Sequence, residues 1–116
     1  MRLNKLQQTA VTALEDIKAR DIKVLDVRKL TSFYDSLVIA SADSSRQAKA
    51  LAHHVRDKLK EAGASIMGVE GEESGEWVLV DCGDIVIHVM QPAVRAYYNL
   101  EELWESPAVR TRAKAA

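Results

Sequence analysis

Apolar residues recur along this chain with two different periods, and the alternation between them predicts its elements. Leu3, Leu6, Ala10, Ala13, Leu14 and Ile17 fall at three- and four-residue spacing, which predicts an amphipathic helix over residues 3 to 19 with one core-facing stripe. Val24, Leu25 and Val27 predict a strand over residues 23 to 30. The unbroken run Leu37-Val38-Ile39-Ala40 predicts a second strand over residues 34 to 41, buried on both faces and paired with the first. A second helix is well signalled: Ser44 can cap it, Gln47 stands three residues on as the reciprocal partner, and Ala48, Leu51, Ala52, Val55 and Leu59 form its apolar stripe. Gly63 ends that helix, and a strand over residues 65 to 69 leads into the loop Glu70-Gly71-Glu72-Glu73-Ser74-Gly75.

Residues 76 to 90 read as two strands folded back on each other. With Cys82 and Gly83 as a two-residue turn, Asp81 faces Asp84, Leu79 faces Val86 and Trp77 faces His88, all on one side of the ribbon. The other side carries Val78, Val80, Ile85, Ile87 and Val89, an aliphatic surface that helices must cover. An aromatic ring, an imidazole and carboxylates are not what a core requires, so the first side is expected to be a recognition surface. Pro92 stops the last strand, and Tyr97, Leu100, Leu103 and Trp104 predict one short helix, with Leu100, Leu103 and Trp104 in the core. The Ala/Arg/Lys-rich stretch over residues 107 to 116 is expected to be a frayed tail. The element order predicts one α/β (α+β) domain over residues 1 to 106, a mixed five-stranded sheet with helices packed on it. The connection through the capped helix is expected to be a right-handed crossover.

Composition narrows the function classes. At 116 residues, 47% hydrophobic and 28% charged, the chain has the size of one domain able to bury its own core. Sixteen Lys and Arg against 17 Asp and Glu leave no field to neutralise many phosphates, so little or no direct nucleic-acid binding is expected. The single Cys82 has no internal disulfide partner, and Met1-Arg2-Leu3-Asn4-Lys5 lacks the apolar run of a signal peptide. No stretch approaches the roughly 18 apolar residues of a membrane span, so a cytoplasmic location with no membrane association is expected.

The catalytic chemistries fit poorly. His53 and His54 are adjacent on a helix, point about a quarter-turn apart and do not share a metal as an i, i+4 pair does. Cys82 in a hairpin turn lacks a helix N-terminus to lower its pKa. Asp81 and Asp84, if opposite each other, could hold a divalent cation, although Asp in turns more commonly caps the backbone. Nucleotidyl transfer needs a Gly-Ser phosphate-gripping turn, and the corresponding Ala40-Ser41-Ala42-Asp43-Ser44-Ser45 has no glycine and an Asp43 that repels phosphate. The expectation is a binding module with no catalytic residue, cofactor or metal. Trp77, Asp81 and His88 are its candidate contacts, and Glu70 with its acidic neighbours forms a rim. Arg95 and Tyr98 could instead pin the short helix to the sheet.

These residues, in order, resemble the ribosomal silencing factor family, also called Iojap-like. The resemblance runs through Asp21-Ile22, Leu25-Asp26-Val27, Asp35-Ser36-Leu37-Val38-Ile39-Ala40-Ser41, Ser44-Ser45-Arg46-Gln47 and Val69-Glu70-Gly71-Glu72. It continues through Glu76-Trp77-Val78-Leu79-Val80-Asp81, Gly83-Asp84-Ile85-Val86-Ile87-His88-Val89 and the stretch from Arg95 to Trp104. It implies a nucleotidyltransferase-like topology without the catalytic turn. It also implies a partner, the large ribosomal subunit, bound through a ribosomal protein on its intersubunit face so that the small subunit cannot join and translation falls when nutrients are scarce. The contacts it implies are Trp77, Asp81 and His88, with Glu70 and Arg95 as additions. Two rivals stay open: a nucleotidyltransferase using Asp81 and Asp84, and a homodimer joined through an exposed sheet edge, which is compatible with silencing.

Overall fold

A computed structural model describes residues 2–105, with side chains from residue 5 to residue 104. The elements run α1 (Arg2–Asp16), β1 (Arg20–Asp26), β2 (Ser36–Ser41), α2 (Ser45–Glu61), β3 (Gly68–Glu70), β4 (Trp77–Asp81), β5 (Ile85–Met90), α3 (Pro92–Tyr98) and α4 (Leu100–Glu105). The five strands form one sheet in the order β1-β2-β5-β4-β3. β2 and β5 are parallel and the other pairs antiparallel, so the sheet is mixed, as the element order predicts. All six residues of β2 and all six of β5 are buried, which fits their place at the sheet centre.

One face is sealed by α1 and α2. Leu6, Ala10, Ala13 and Leu14 of α1, with Ala48, Leu51, Ala52, Val55 and Leu59 of α2, pack on Val38, Ala40, Val78, Val80, Ile85, Ile87 and Val89. Burying each large aliphatic side chain there stabilises the fold by roughly 1.5–3 kcal/mol. The start of α2 is fixed by its cap: Ser44 Oγ accepts the Gln47 amide N–H at 3.0 Å. Gln47 Oε1 reaches back one residue further than a capping box requires and accepts the Asp43 N–H at 2.6 Å. The Gln47 side-chain amide also donates to the Ile17 and Lys18 carbonyls, both at 3.1 Å, tying α2 to the end of α1.

Three expectations are corrected. The hairpin turns at Gly83-Asp84, because Cys82 donates its N–H to the Ile85 carbonyl at 2.9 Å and is therefore a paired residue. Gly83 adopts φ +81°, a conformation that favours glycine, and the Asp84 N–H closes the turn onto the Cys82 carbonyl at 3.0 Å. β5 is consequently displaced by two residues from the expected register: Trp77 lies opposite Met90, Leu79 opposite His88 and Asp81 opposite Val86. The expected strand over residues 65 to 69 is the three-residue β3, which starts three residues later and ends one later. The expected single C-terminal helix is two, broken at Asn99, whose φ of 48° is left-handed. The expected tail over residues 107 to 116 lies outside the described residues.

The second face holds a smaller cluster of Leu25, Val27, Leu37, Ile39 and Met90, with Leu30, Tyr34, Trp77, Val94, Leu100 and Trp104 packed against it. The segment after β1 and the helices α3 and α4 thus cover the β1-β2-β5 side of that face. The β4 and β3 side is left half-open, and the outward residues of β4 are only partly buried. Of the two edge strands, β3 has three residues and β1 carries a register irregularity between Arg20 and Lys23, features that blunt edge-to-edge pairing.

Candidate functional site

Directly paired residues share a face, so the register arranges the half-open side in three rows. Trp77 sits beside Met90 and Ser41; Glu70, Leu79, His88 and Ile39 form the middle row; Asp81 sits beside Val86 and Leu37. Trp77 to Asp81 spans about 13 Å along the strand. The two-residue displacement keeps every side chain on its expected face, because side-chain direction repeats every second residue.

Trp77 is half-buried and bridges the small core and the open side. Its indole N–H donates to His88 Nδ1 at 2.9 Å, and its ring meets Tyr98 with centroids 4.9 Å apart at 49°. His88 is 9% exposed, and burial pushes its imidazole down from 6.5 to about 4. At neutral pH it is therefore uncharged, with Nδ1 accepting from the indole and the proton on Nε2. Asp81 Oδ1 accepts the Gly83 N–H at 2.8 Å and caps the turn; its other oxygen makes no hydrogen bond among the described residues. Burial, then the Asp81 charge, raises the pKa of both Tyr34 and Cys82, with the Cys82 thiol pushed up to about 11. A thiol so raised stays protonated near neutral pH and is a poor nucleophile. Glu70 is exposed and makes no hydrogen bond or ion pair among the described residues.

Arg95 is placed differently. Its guanidinium donates to the Asp21 carbonyl at 2.7 Å, to Ser41 Oγ at 2.9 Å and to Glu101 Oε1 at 3.0 Å. Beyond it, Tyr97 is 81% and Tyr98 54% exposed, and an open groove of about 340 Å³ lies between α3 and Trp77, lined also by Glu76 and Val94.

The rival phosphate-transfer geometry meets an obstruction. The first residue of α2, Ser45, is covered by Gly75, where a Cβ would lie 2.7–2.9 Å from Ser45 atoms and φ is +71°. Gln91 locks this junction, its side-chain amide donating to Ser45 Oγ at 3.1 Å and the Gly75 carbonyl at 3.0 Å. Gly75 and Gln91 thus pack on the first residue of α2, while Asp43 and Ser44 of the turn before it are exposed. Asp81 and Asp84 are not opposite each other either, since Asp84 lies in the turn.

Known proteins share both the sequence and this fold. Residues 1–115 match the family described as "Ribosomal silencing factor during starvation". The chain belongs to the ribosomal silencing factor family. Among its relatives, the ribosomal silencing factor of Chromobacterium violaceum is 58% identical over 104 residues, covering 90% of this chain and 85% of that protein. The silencing factor of Halalkalibacterium halodurans is 39% identical over 110 residues, covering 94% of each. A crystal structure of a Chromobacterium violaceum protein superposes with a TM-score of 0.88 at 57% identity, covering 90% of this chain and 88% of that one. Membership gives this silencing factor its function class, translation regulation through ribosome silencing.

Against that family background, the expected contact residues of this silencing factor divide. Trp77, Asp81 and Glu70 reach the half-open side. His88 lies on the same face yet is buried and bonded to the indole, and Arg95 engages Asp21, Ser41 and Glu101, so neither side chain stands free in this structure. Residue-level reading passed over Tyr97, placed in a helical stripe, and the ring contact of Tyr98 with Trp77. A signal was present: adjacent helical residues point about 100° apart, so the Tyr97-Tyr98 doublet cannot turn both rings to the core. Leu103, expected in the core, is 50% exposed. His53 is exposed on α2 and contacts Glu72, while His54 is partly buried with Nε2 2.9 Å from Asp16 Oδ2. Among the described residues, no helix is long and apolar enough to cross a membrane.

Proposed function

We propose that this chain binds the large ribosomal subunit through a ribosomal protein exposed on its intersubunit face and thereby blocks the small subunit from joining, repressing translation under nutrient limitation. The observation that carries the reading is the asymmetry of the sheet: one face is sealed by helices, while the β4 and β3 side of the other leaves Trp77, Leu79 and Asp81 only partly covered and Glu70 exposed, beside the exposed rings of Tyr97 and Tyr98. Aromatic anchors with partly used carboxylates are the composition of a protein-recognition patch. The second oxygen of Asp81 and the carboxylate of Glu70, both without a hydrogen-bond partner among the described residues, suit a basic side chain on the partner.

Blocking needs only occupancy. The chain measures 41 × 33 × 21 Å, so its thinnest dimension exceeds any contact layer between docked subunits. Holding on requires roughly 800 Å² per side with a few anchored residues. Nucleotide transfer gains no support, because Gly75 packs against Ser45 at the start of α2 and the turn before it carries Asp43 and no glycine.

The test is reassociation of separated subunits followed by sedimentation. Added protein is expected to keep subunits apart, and Trp77→Ala is expected to weaken this by about 100-fold while the variant stays folded. Subunits that join normally in the presence of excess protein would overturn the reading.

A further inference from the structure

α3 has little of its own to hold it in place. It is seven residues long, none of them buried, and its N-cap residue Gln91 makes no side-chain cap hydrogen bond. So short a helix is marginal without tertiary support. That support comes from Val94, packed against the small core, and from Arg95, whose side chain is 12% exposed and bonds at once to β1, β2 and α4 through Asp21, Ser41 and Glu101. Tyr98 sits one turn further along the same helix, against Trp77.

We propose that Arg95 is a positioning residue for the docking face: without touching the partner, it latches α3 to the sheet and so holds the Tyr98 ring against Trp77. This rests on the reading of that face as the ribosome-docking surface. A planar guanidinium is needed because three acceptors on three elements must be met by one rigid fork, which the single ammonium of lysine does not reproduce. The latch also sets the width of the groove between Trp77 and α3.

The experiment measures the affinity of the full chain for purified large subunits in wild type, Arg95→Ala, Tyr98→Ala and the double variant. Amide exchange of residues 93 to 98 is read in parallel. Arg95→Ala is expected to weaken binding about 10-fold in the wild-type background and less than about 2-fold in the Tyr98→Ala background, because the two act as one unit. Exchange across α3 is expected to quicken while the sheet stays protected. Arg95→Lys is expected to fall between wild type and Arg95→Ala. Should Arg95→Ala not fold, Ser41→Ala removes one acceptor and is expected to give a smaller loss, again absorbed by Tyr98→Ala. Fully additive losses, or wild-type affinity in Arg95→Ala, overturn the proposal. Unchanged α3 exchange in Arg95→Ala, with binding still lost in Trp77→Ala, overturns the latch alone. Faster α3 exchange with wild-type binding by both Trp77→Ala and Tyr98→Ala overturns the docking reading, and the role of Arg95 falls with it.

Discussion

The two faces of this sheet share strands, and alternate residues of β4 serve opposite ends. Val78 and Val80 are wholly buried under α1 and α2, whereas Trp77, Leu79 and Asp81 between them are only partly covered. The first face is uniform and aliphatic, and its chemistry explains stability alone. The second mixes a small core with an indole, a buried imidazole, a turn-capping carboxylate and an exposed glutamate. The contrast shows how a three-layer fold gains a docking surface without a dedicated domain: one layer is made narrower than the sheet it covers. The strands are then held by the sealed face, while the outward side chains of β4 and β3 stay only partly covered.

The comparison can be broken most forcefully on the sealed face. Ile87→Ala is expected to cost about 4 kcal/mol in urea unfolding, through lost burial and the cavity left beneath α1 and α2. Large-subunit affinity per folded molecule should stay at the wild-type level. A loss of affinity with little loss of stability would reverse the roles assigned to the faces.

Acid tests the junction between core and patch. The unfolded imidazole titrates near 6.5 and the folded His88 near 4, so the unfolded chain binds the extra proton between those values. Stability is expected to be full above about pH 6.5 and to fall by roughly 3 kcal/mol as pH drops toward 4, where the loss levels off. His88→Leu should flatten that part of the pH dependence of the unfolding free energy; a slope identical to wild type would remove His88 as its source.

The open side is sharpened by charge. Asp81→Asn keeps an oxygen for the Gly83 N–H, so stability should change by less than about 0.5 kcal/mol while subunit affinity drops about 10-fold with a weaker salt dependence. Glu70→Gln is expected to give the smallest effect, about a 2-fold slower association that vanishes at high salt. A larger effect at Glu70 than at Asp81 would move the centre of the patch toward the sheet edge.

Much of the sealed face was legible in the sequence because local pattern and tertiary demand agree there. The stripe of α2, its Ser44 cap and the alternation of Val78, Val80, Ile85, Ile87 and Val89 each admit one arrangement. The hairpin register was not legible: a displacement by two residues leaves every side chain on the same face, so the apolar pattern is blind to it. The break at Asn99 was hidden because Tyr97, Leu100, Leu103 and Trp104 keep helical spacing across it. The recognition residues showed as polar and aromatic intruders on a strand face. Their separation into exposed Glu70, half-buried Trp77 and Asp81 and internal His88 and Arg95 depends on where α3 and α4 lie. Contacts between residues as distant as Asp21 and Arg95 leave no local trace.

The account rests on one side of one sheet meeting the ribosome, and side-chain footprinting by hydroxyl radicals tests this most directly. Comparing the free chain with the chain on purified large subunits, Trp77, Leu79, Tyr97 and Tyr98 are predicted to lose labelling on binding, while His53 on the outer side of α2 labels as in the free protein. Protection of His53 with Tyr97 and Tyr98 labelled as in the free chain would contradict it.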